Sequence, residues 1–298
     1  MTVLSSPNGN PERVWSLIAG LQALGGETDR KTFDALLNPG FLQDGRDLIA
    51  QTSLANDAMG AATSLCLIEN RRDCISLGEG VDMNSFSEFA DHVHKWLVSL
   101  ESNHSESAIL DAYAWVAAES DRQNGLGWIY DWNREEFAQR ANESLDSDGS
   151  DGRLINATRL APWRRWLSFL GLSTVNPISN QPDFPWPTER LAIEIEQSDL
   201  AKGNEVLAKD FIEFVSKRMP YLDRGKSFLQ ACRRIGHTPA TTQLSPLMSC
   251  ALRDLHDEGV LTLVVRGDAT ENLRLSSDPA HAIEGAFVSV KINARKAN

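Results

Sequence analysis

The chain has 298 residues, 42% of them hydrophobic and 23% charged, and a formal net charge of −12. That length holds about two domains with real cores, and the composition is that of a soluble globular protein rather than a fibrous or disordered one. No apolar run approaches the ~20 residues that cross a bilayer, and the N-terminus lacks a basic-then-apolar signal pattern, so a cytoplasmic protein without membrane contact is expected.

In chain order, Asn10-Pro11 opens a helix with Val14, Leu17, Ile18, Leu21 and Leu24 on one face, and Gly25-Gly26 stops it. Asp29 can cap a second helix carrying Phe33, Leu36 and Leu37, which Pro39-Gly40 breaks. A third helix fits between about Asp47 and Ser64. Leu65–Ile68 and Cys74–Leu77 then read as strands, with Asn70-Arg71-Arg72-Asp73 at the hairpin tip. Three helices and a hairpin are the parts of a winged helix over 1–82; the bland alternative is a helical bundle with an incidental hairpin.

Helices follow from Ser85 to about Ser102, from Ser107 to about Ser120, and between Asn133 and Glu143. The second of these shows Ile109, Leu110, Tyr113 and Val116 as a stripe. The stretch 142–152 reads as a solvated loop. Pro162 starts a short helix in which Trp163, Trp166 and Leu170 share a face. Trp163-Arg164-Arg165-Trp166 therefore reads as core with snorkelling arginines rather than as a base-stacking platform. The stretch 176–187 holds four prolines together with Phe184 and Trp186, and suits an ordered arm better than a regular element. Thr188 can cap one further helix, and another runs from about Asn204 to Arg218.

The last pattern is the most explicit. Ser245 is a natural N-cap before Pro246, and Leu247, Met248, Ala251, Leu252 and Leu255 recur at helical spacing until Gly259. Val260–Val265 is β-rich, and Gly267-Asp268-Ala269 is read as turning the chain back into Leu273-Arg274-Leu275. A helix feeding a hairpin is the recognition half of a winged helix, a fold that docks onto DNA or proteins more often than it catalyses. The expected class is therefore mainly α with small β-hairpins (α+β). Winged helices at 1–82 and 201–298 would bracket an acidic helical middle, 83–200, with a proline-rich arm.

Charge is unevenly spread. Residues 1–80 carry −4, 81–200 carry −11 and 201–298 carry +3. Phosphate neutralisation supplies most non-specific DNA affinity, so only the last third attracts DNA. Candidate contacts are Arg71 and Arg72 at the first hairpin tip, Arg253 on the polar face of the last helix between Ser249 and His256, and Arg266 at the second wing. Asp254, Asp257 and Glu258 crowd the same helix and oppose them. The bland reading, solvated surface arginines, stands beside each.

Chemistry is harder to find. The chain has no GxxxxGK[ST] phosphate loop, GxGxxG turn, GxSxG elbow or HExxH helix. His92 and His94 point to different helix faces, and His237 lacks a neighbouring nucleophile. Cys66, Cys74, Cys232 and Cys250 lack CxxC spacing and read as buried free thiols, a Cys66–Cys74 bridge being the minor alternative. No catalytic residue, metal or cofactor is expected, and a non-enzyme is favoured.

Several segments, in order and spacing, resemble the DpdG family. They are the N-terminal helices and hairpin, Trp163–Gly171, Arg218-Met219-Pro220-Tyr221-Leu222-Asp223-Arg224-Gly225, and Ser245–Gly259 with its wing. That family is an accessory component of bacterial islands that place 7-deazaguanine bases in DNA and restrict unmodified DNA. Asp223-Arg224-Gly225 stands where the family pattern has a glycine pair. The resemblance implies no catalytic residues. It implies a subunit of a multi-subunit anti-phage defence complex with helicase-like or ATPase partners, acting as scaffold or adaptor and touching DNA weakly. Two alternatives stay open: a tandem winged-helix subunit gripping a kleisin or ATPase in a condensin-like complex, and a transcription repressor. The repressor needs a basic recognition helix that neither end shows.

Overall fold

Asn10 caps the first helix, α1 (Pro11–Ala23), by accepting the Arg13 N–H at 3.0 Å, and Pro11 fills a first-turn position where no N–H is missed. These elements belong to a computed structural model that describes residues 2–37, 53–145, 154–174, 184–200, 202–266, 272–281 and 285–293. The chain is mainly helical with small antiparallel sheets. It divides into two compact units, residues 1–107 with 157–170, and residues 108–156 with 171–298.

In the first unit α1 leads into β1 (Glu27–Asp29), α2 (Arg30–Leu37), α3 (Ser53–Ser64), β2 (Ile68–Asn70), β3 (Cys74–Leu77) and α4 (Phe86–Ser99). The chain then enters the second unit with α5 (Ala108–Arg122) and α6 (Arg134–Leu145), and returns to the first through α7 (Leu160–Phe169). The second unit continues with β4 (Ser173–Thr174), β5 (Phe184–Pro185), α8 (Thr188–Glu196), β6 (Glu205–Leu207) and α9 (Ala208–Arg218). It closes with α10 (Lys226–Arg234), α11 (Pro246–Asp257), β7 (Leu261–Val264), β8 (Leu273–Arg274), β9 (Ala286–Phe287) and β10 (Ser289–Ile292). The expected start of the third helix near Asp47, the Pro39-Gly40 break, the Gly267–Ala269 turn and most of 142–152 and 176–187 lie outside the described residues.

The first unit buries Val14, Leu17, Ile18 and Leu21 of α1 completely, with α1 packed on α3 and β3, where Met59, Ala62 and Ile75 are buried too. Leu24 and Leu36, expected on apolar faces, are instead 38% and 54% exposed. Its sheet has the order β1-β3-β2, all antiparallel, with Thr28 opposite Ile75 and Glu69 opposite Ser76. A second aromatic layer joins α1, α4 and α7. Phe89 stacks on Trp15 at 5.8 Å and meets Phe169 at 4.8 Å, and the buried Trp166 donates its indole N–H to the Gly9 carbonyl at 3.2 Å. Trp163 and Trp166 are thus core, as their spacing predicts, and Arg165 points out to Glu12 at 3.1 Å.

The second unit is built around α5, buried from Ala108 to Ser120 except at the half-buried Asp111 and packed by α6, α10 and α11. The sequence 204–207, read as helix, departs from expectation: β6 precedes α9. Val260–Val265 does form a strand, β7, but it does not pair with 272–276. It pairs with β10 (Val290 opposite Leu263), while β8 pairs with β9 (Leu273 opposite Phe287). The hairpin reading took the nearest β-rich segment as partner, whereas Val290 and Ile292 supply the deeper apolar face and are buried to 0% and 2% exposure. The sheet order is β6-β10-β7. Both three-stranded sheets therefore share one order, a strand, then helices, then two further strands of which the last lies in the middle, with the β8–β9 pair inserted before the last strand at the C-terminal end.

All four cysteines are unpaired. Cys232 is buried as expected, but Cys66 is exposed. Cys66 follows α3 in the left-handed region at φ +57°, where its N–H and that of Leu67 close the helix on Thr63 and Ala62. Glycine takes that conformation without strain, so Cys66→Gly is expected to raise stability by about 1 kcal/mol. A denaturant titration with an unchanged or lowered midpoint would contradict this.

Candidate nucleic-acid interface

A helix docks in a DNA groove only if it offers a solvent-facing surface with cations or base-reading side chains. The winged-helix reading puts two helices in recognition position, α3 before β2 and α11 before β7. The solvent-facing residues of α3 include Leu54, Asn56 and Thr63, and the helix has no Lys or Arg. Its one charged residue, Asp57, accepts from the Asn8 backbone and side-chain amides at 3.2 and 2.9 Å.

α11 is covered almost entirely, and this overturns the surface placement of Arg253. That residue is 2% exposed and donates to the Ser276 carbonyl at 2.6 Å. Ser249, one turn earlier, accepts the Ser276 N–H at 2.8 Å, and His256, one turn later, accepts the Leu263 N–H through Nδ1 at 3.1 Å. The polar stripe Ser249, Arg253 and His256 therefore binds the backbone of the chain that follows the helix. On another side, Asp254 accepts from the Thr188 hydroxyl of α8 at 2.8 Å, and burial raises its carboxyl above the ordinary value.

The other candidates are exposed but mostly neutralised. Arg71 closes the β2–β3 turn through its N–H to the Cys74 carbonyl, and its guanidinium meets Glu69 at 2.7 Å. Arg72 is exposed beside it and has no ion pair among the described residues. Arg30, at the start of α2, bonds Asp34 at 3.1 Å and reaches Asn70 at 3.0 Å, so it braces the same hairpin. Arg266 bonds both carboxylate oxygens of Glu205, at 2.8 and 3.1 Å. Arg71 and Arg72 belong to the first unit and Arg253 and Arg266 to the second, where Arg253 is buried and Arg266 is exposed.

Sequence reasoning missed a buried polar system in the second unit. Arg190, with no solvent exposure, lies 3.3 Å from Glu194, whose other oxygen takes Arg218 at 3.1 Å. Tyr113 and Tyr221 meet edge to face at 5.5 Å beside them, and desolvation holds both phenols well above their ordinary value. Asp223 accepts the Ser245 N–H at 2.7 Å and the Ser245 hydroxyl at 2.5 Å, and that hydroxyl caps α11 at Met248. Burial pushes the Asp223 carboxyl up to about 6 although both bonds from Ser245 pull it down. The loop that places Asp223 needs Gly225: a Cβ there would lie 2.3 Å from the Pro220 carbonyl oxygen. A polar residue five positions after a helix, ahead of a Ser-Pro cap, was the available signal.

Among the described residues no group of His, Cys, Asp and Glu is arranged to hold a metal ion. No described helix is long and apolar enough to cross a membrane. No curated protein and no solved structure matches the chain. The DpdG-like family matches residues 1–269, nine-tenths of the sequence, and the chain belongs to that family.

Proposed function

We propose that this chain is a non-catalytic winged-helix subunit of a bacterial anti-phage DNA-targeting complex, acting as an adaptor between protein partners. Family membership supports the defence setting. The connectivity of both ends, with sheet orders β1-β3-β2 and β6-β10-β7, supports the winged-helix reading. The observation that carries the adaptor role is the state of the two helices in recognition position. One is buried, and the other presents Leu54, Asn56 and Thr63 without a cation. Such a face suits a protein groove better than a phosphate backbone.

Two results are expected. A tagged chain expressed from its native operon should retain its protein partners at high salt, because apolar contacts are not screened. Partners lost by about 0.5 M salt would point to an electrostatic assembly instead. Purified chain with DNA, Mg²⁺ and nucleotide should neither cleave nor hydrolyse. Turnover abolished by replacing one carboxylate would overturn the non-catalytic reading.

A further inference from the structure

Several cations of this acidic chain are each offset by a carboxylate: Arg30 by Asp34, Arg71 by Glu69, Arg122 by Glu119, Arg165 by Glu12, Lys217 by Glu213 and Arg266 by Glu205. One groove departs from that pattern. It has a volume of about 520 Å³, lies in the second unit at the start of α9, and is lined by Lys209, Arg224, Arg274 and Thr242, with Asp210 the only carboxylate.

Lys209 and Arg274 are exposed and have no ion pair among the described residues; Glu213, one turn from Lys209, is taken by Lys217 at 2.8 Å. Arg224 spends one N–H on the Thr241 carbonyl at 2.7 Å, which orients its guanidinium without neutralising it. The backbone under Arg274 is pinned on both sides, its N–H to the Thr242 carbonyl and its carbonyl to the Leu244 N–H, each at 2.8 Å. Arg224 itself sits at φ +62°, where glycine is relaxed and an arginine is strained. Strain kept at a charged residue facing a groove points to use of that charge.

We propose that this groove holds the phosphodiester backbone of a nucleic-acid strand. Three cations beside one carboxylate match successive phosphates, and the volume suits about one or two nucleotides. The inference rests on the reading above, in which the chain works within a DNA-targeting assembly, and supplies the contact that neither α3 nor α11 offers.

The experiment is fluorescence anisotropy of the full chain with labelled single-stranded and duplex DNA of one sequence, over a salt series. Lys209→Ala, Arg224→Gly and Arg274→Ala are each expected to weaken binding and to lower the salt slope by about one unit. Arg266→Ala, already offset by Glu205, serves as the control and should leave the slope close to wild type. Arg224→Gly relieves the strained backbone, so an equal or higher melting temperature with weaker DNA binding excludes misfolding as the cause. Partner capture by the three variants should match wild type, which separates failure of the groove from failure of the adaptor reading. Unchanged slopes in all three variants, or a wild-type chain that binds neither probe at low salt, would overturn the proposal.

Discussion

Arg253→Ala is expected to destabilise the second unit by about 3–5 kcal/mol, the range for emptying a large buried site and stranding a charge-assisted acceptor. The guanidinium is enclosed between α11 and the segment at Ser276, whose carbonyl would lose its donor and find no water in its place. Had Arg253 been a surface contact, the same change would alter DNA affinity and shift stability by less than about 0.5 kcal/mol. The two accounts separate in one measurement. Chemical denaturation of Arg253→Ala should show a large fall in midpoint, and Arg72→Ala, at the exposed hairpin tip, almost none. An Arg253→Ala protein as stable as wild type would mean that the side chain is not enclosed as described. Arg253→Lys should recover only part of the loss, because an ammonium lacks the planar fork of the guanidinium.

That buried arginine also shows where sequence reasoning stops. Helix ends were legible because their determinants are local: Asn10 before Pro11, Ser85 before α4, and Ser245 before Pro246 cap the helices where the pattern placed them. Faces were legible where only one was buried, as in α1. They were not where two were. The apolar stripe of α11 and the polar stripe Ser249, Arg253 and His256 both turn inward, the second because its partners are backbone groups of later chain. A period of 3.6 cannot distinguish a polar stripe facing water from one facing backbone. The surround of α5 was likewise partly readable: Ala114, Trp115 and Ala118 off the main stripe signal a helix crowded on all sides.

Strand partners were the least legible feature. β7 was placed correctly, but its partner β10 lies beyond β8 and β9, and pairing at that separation leaves no turn signature next to either strand. The alternation Ser289-Val290-Lys291-Ile292, with Lys291 exposed and Val290 and Ile292 inside, was available and marks a half-buried strand. Likewise the uncompensated cations Lys209, Arg224 and Arg274 are far apart in sequence. They meet only because β8, the start of α9 and the Asp223 loop come together in the fold.

The second large effect concerns pH. In the unfolded chain Asp223 ionises near the ordinary 3.8, whereas in the fold burial holds its proton to about 6. Between those values the folded state binds more protons than the unfolded one, so stability falls as pH rises through the window and levels off above it. The full contribution is about 3 kcal/mol, present in acid and lost by neutral pH. Glu106 acts in the same direction in the first unit: buried, and accepting the Val3 N–H at 3.1 and 3.2 Å, its carboxyl is pushed up to about 7. The expected profile is therefore a protein more stable near pH 5 than near pH 7. Asp223→Asn isolates the larger unit's share, since the amide keeps the shape and accepts the Ser245 N–H without ionising. Measured by denaturant titration, the stability difference between wild type and Asp223→Asn should move by about 2–3 kcal/mol between pH 4 and pH 7, in favour of the variant as pH rises. Parallel curves would show that Asp223 ionises normally in the fold and that its bonds from Ser245 offset its burial.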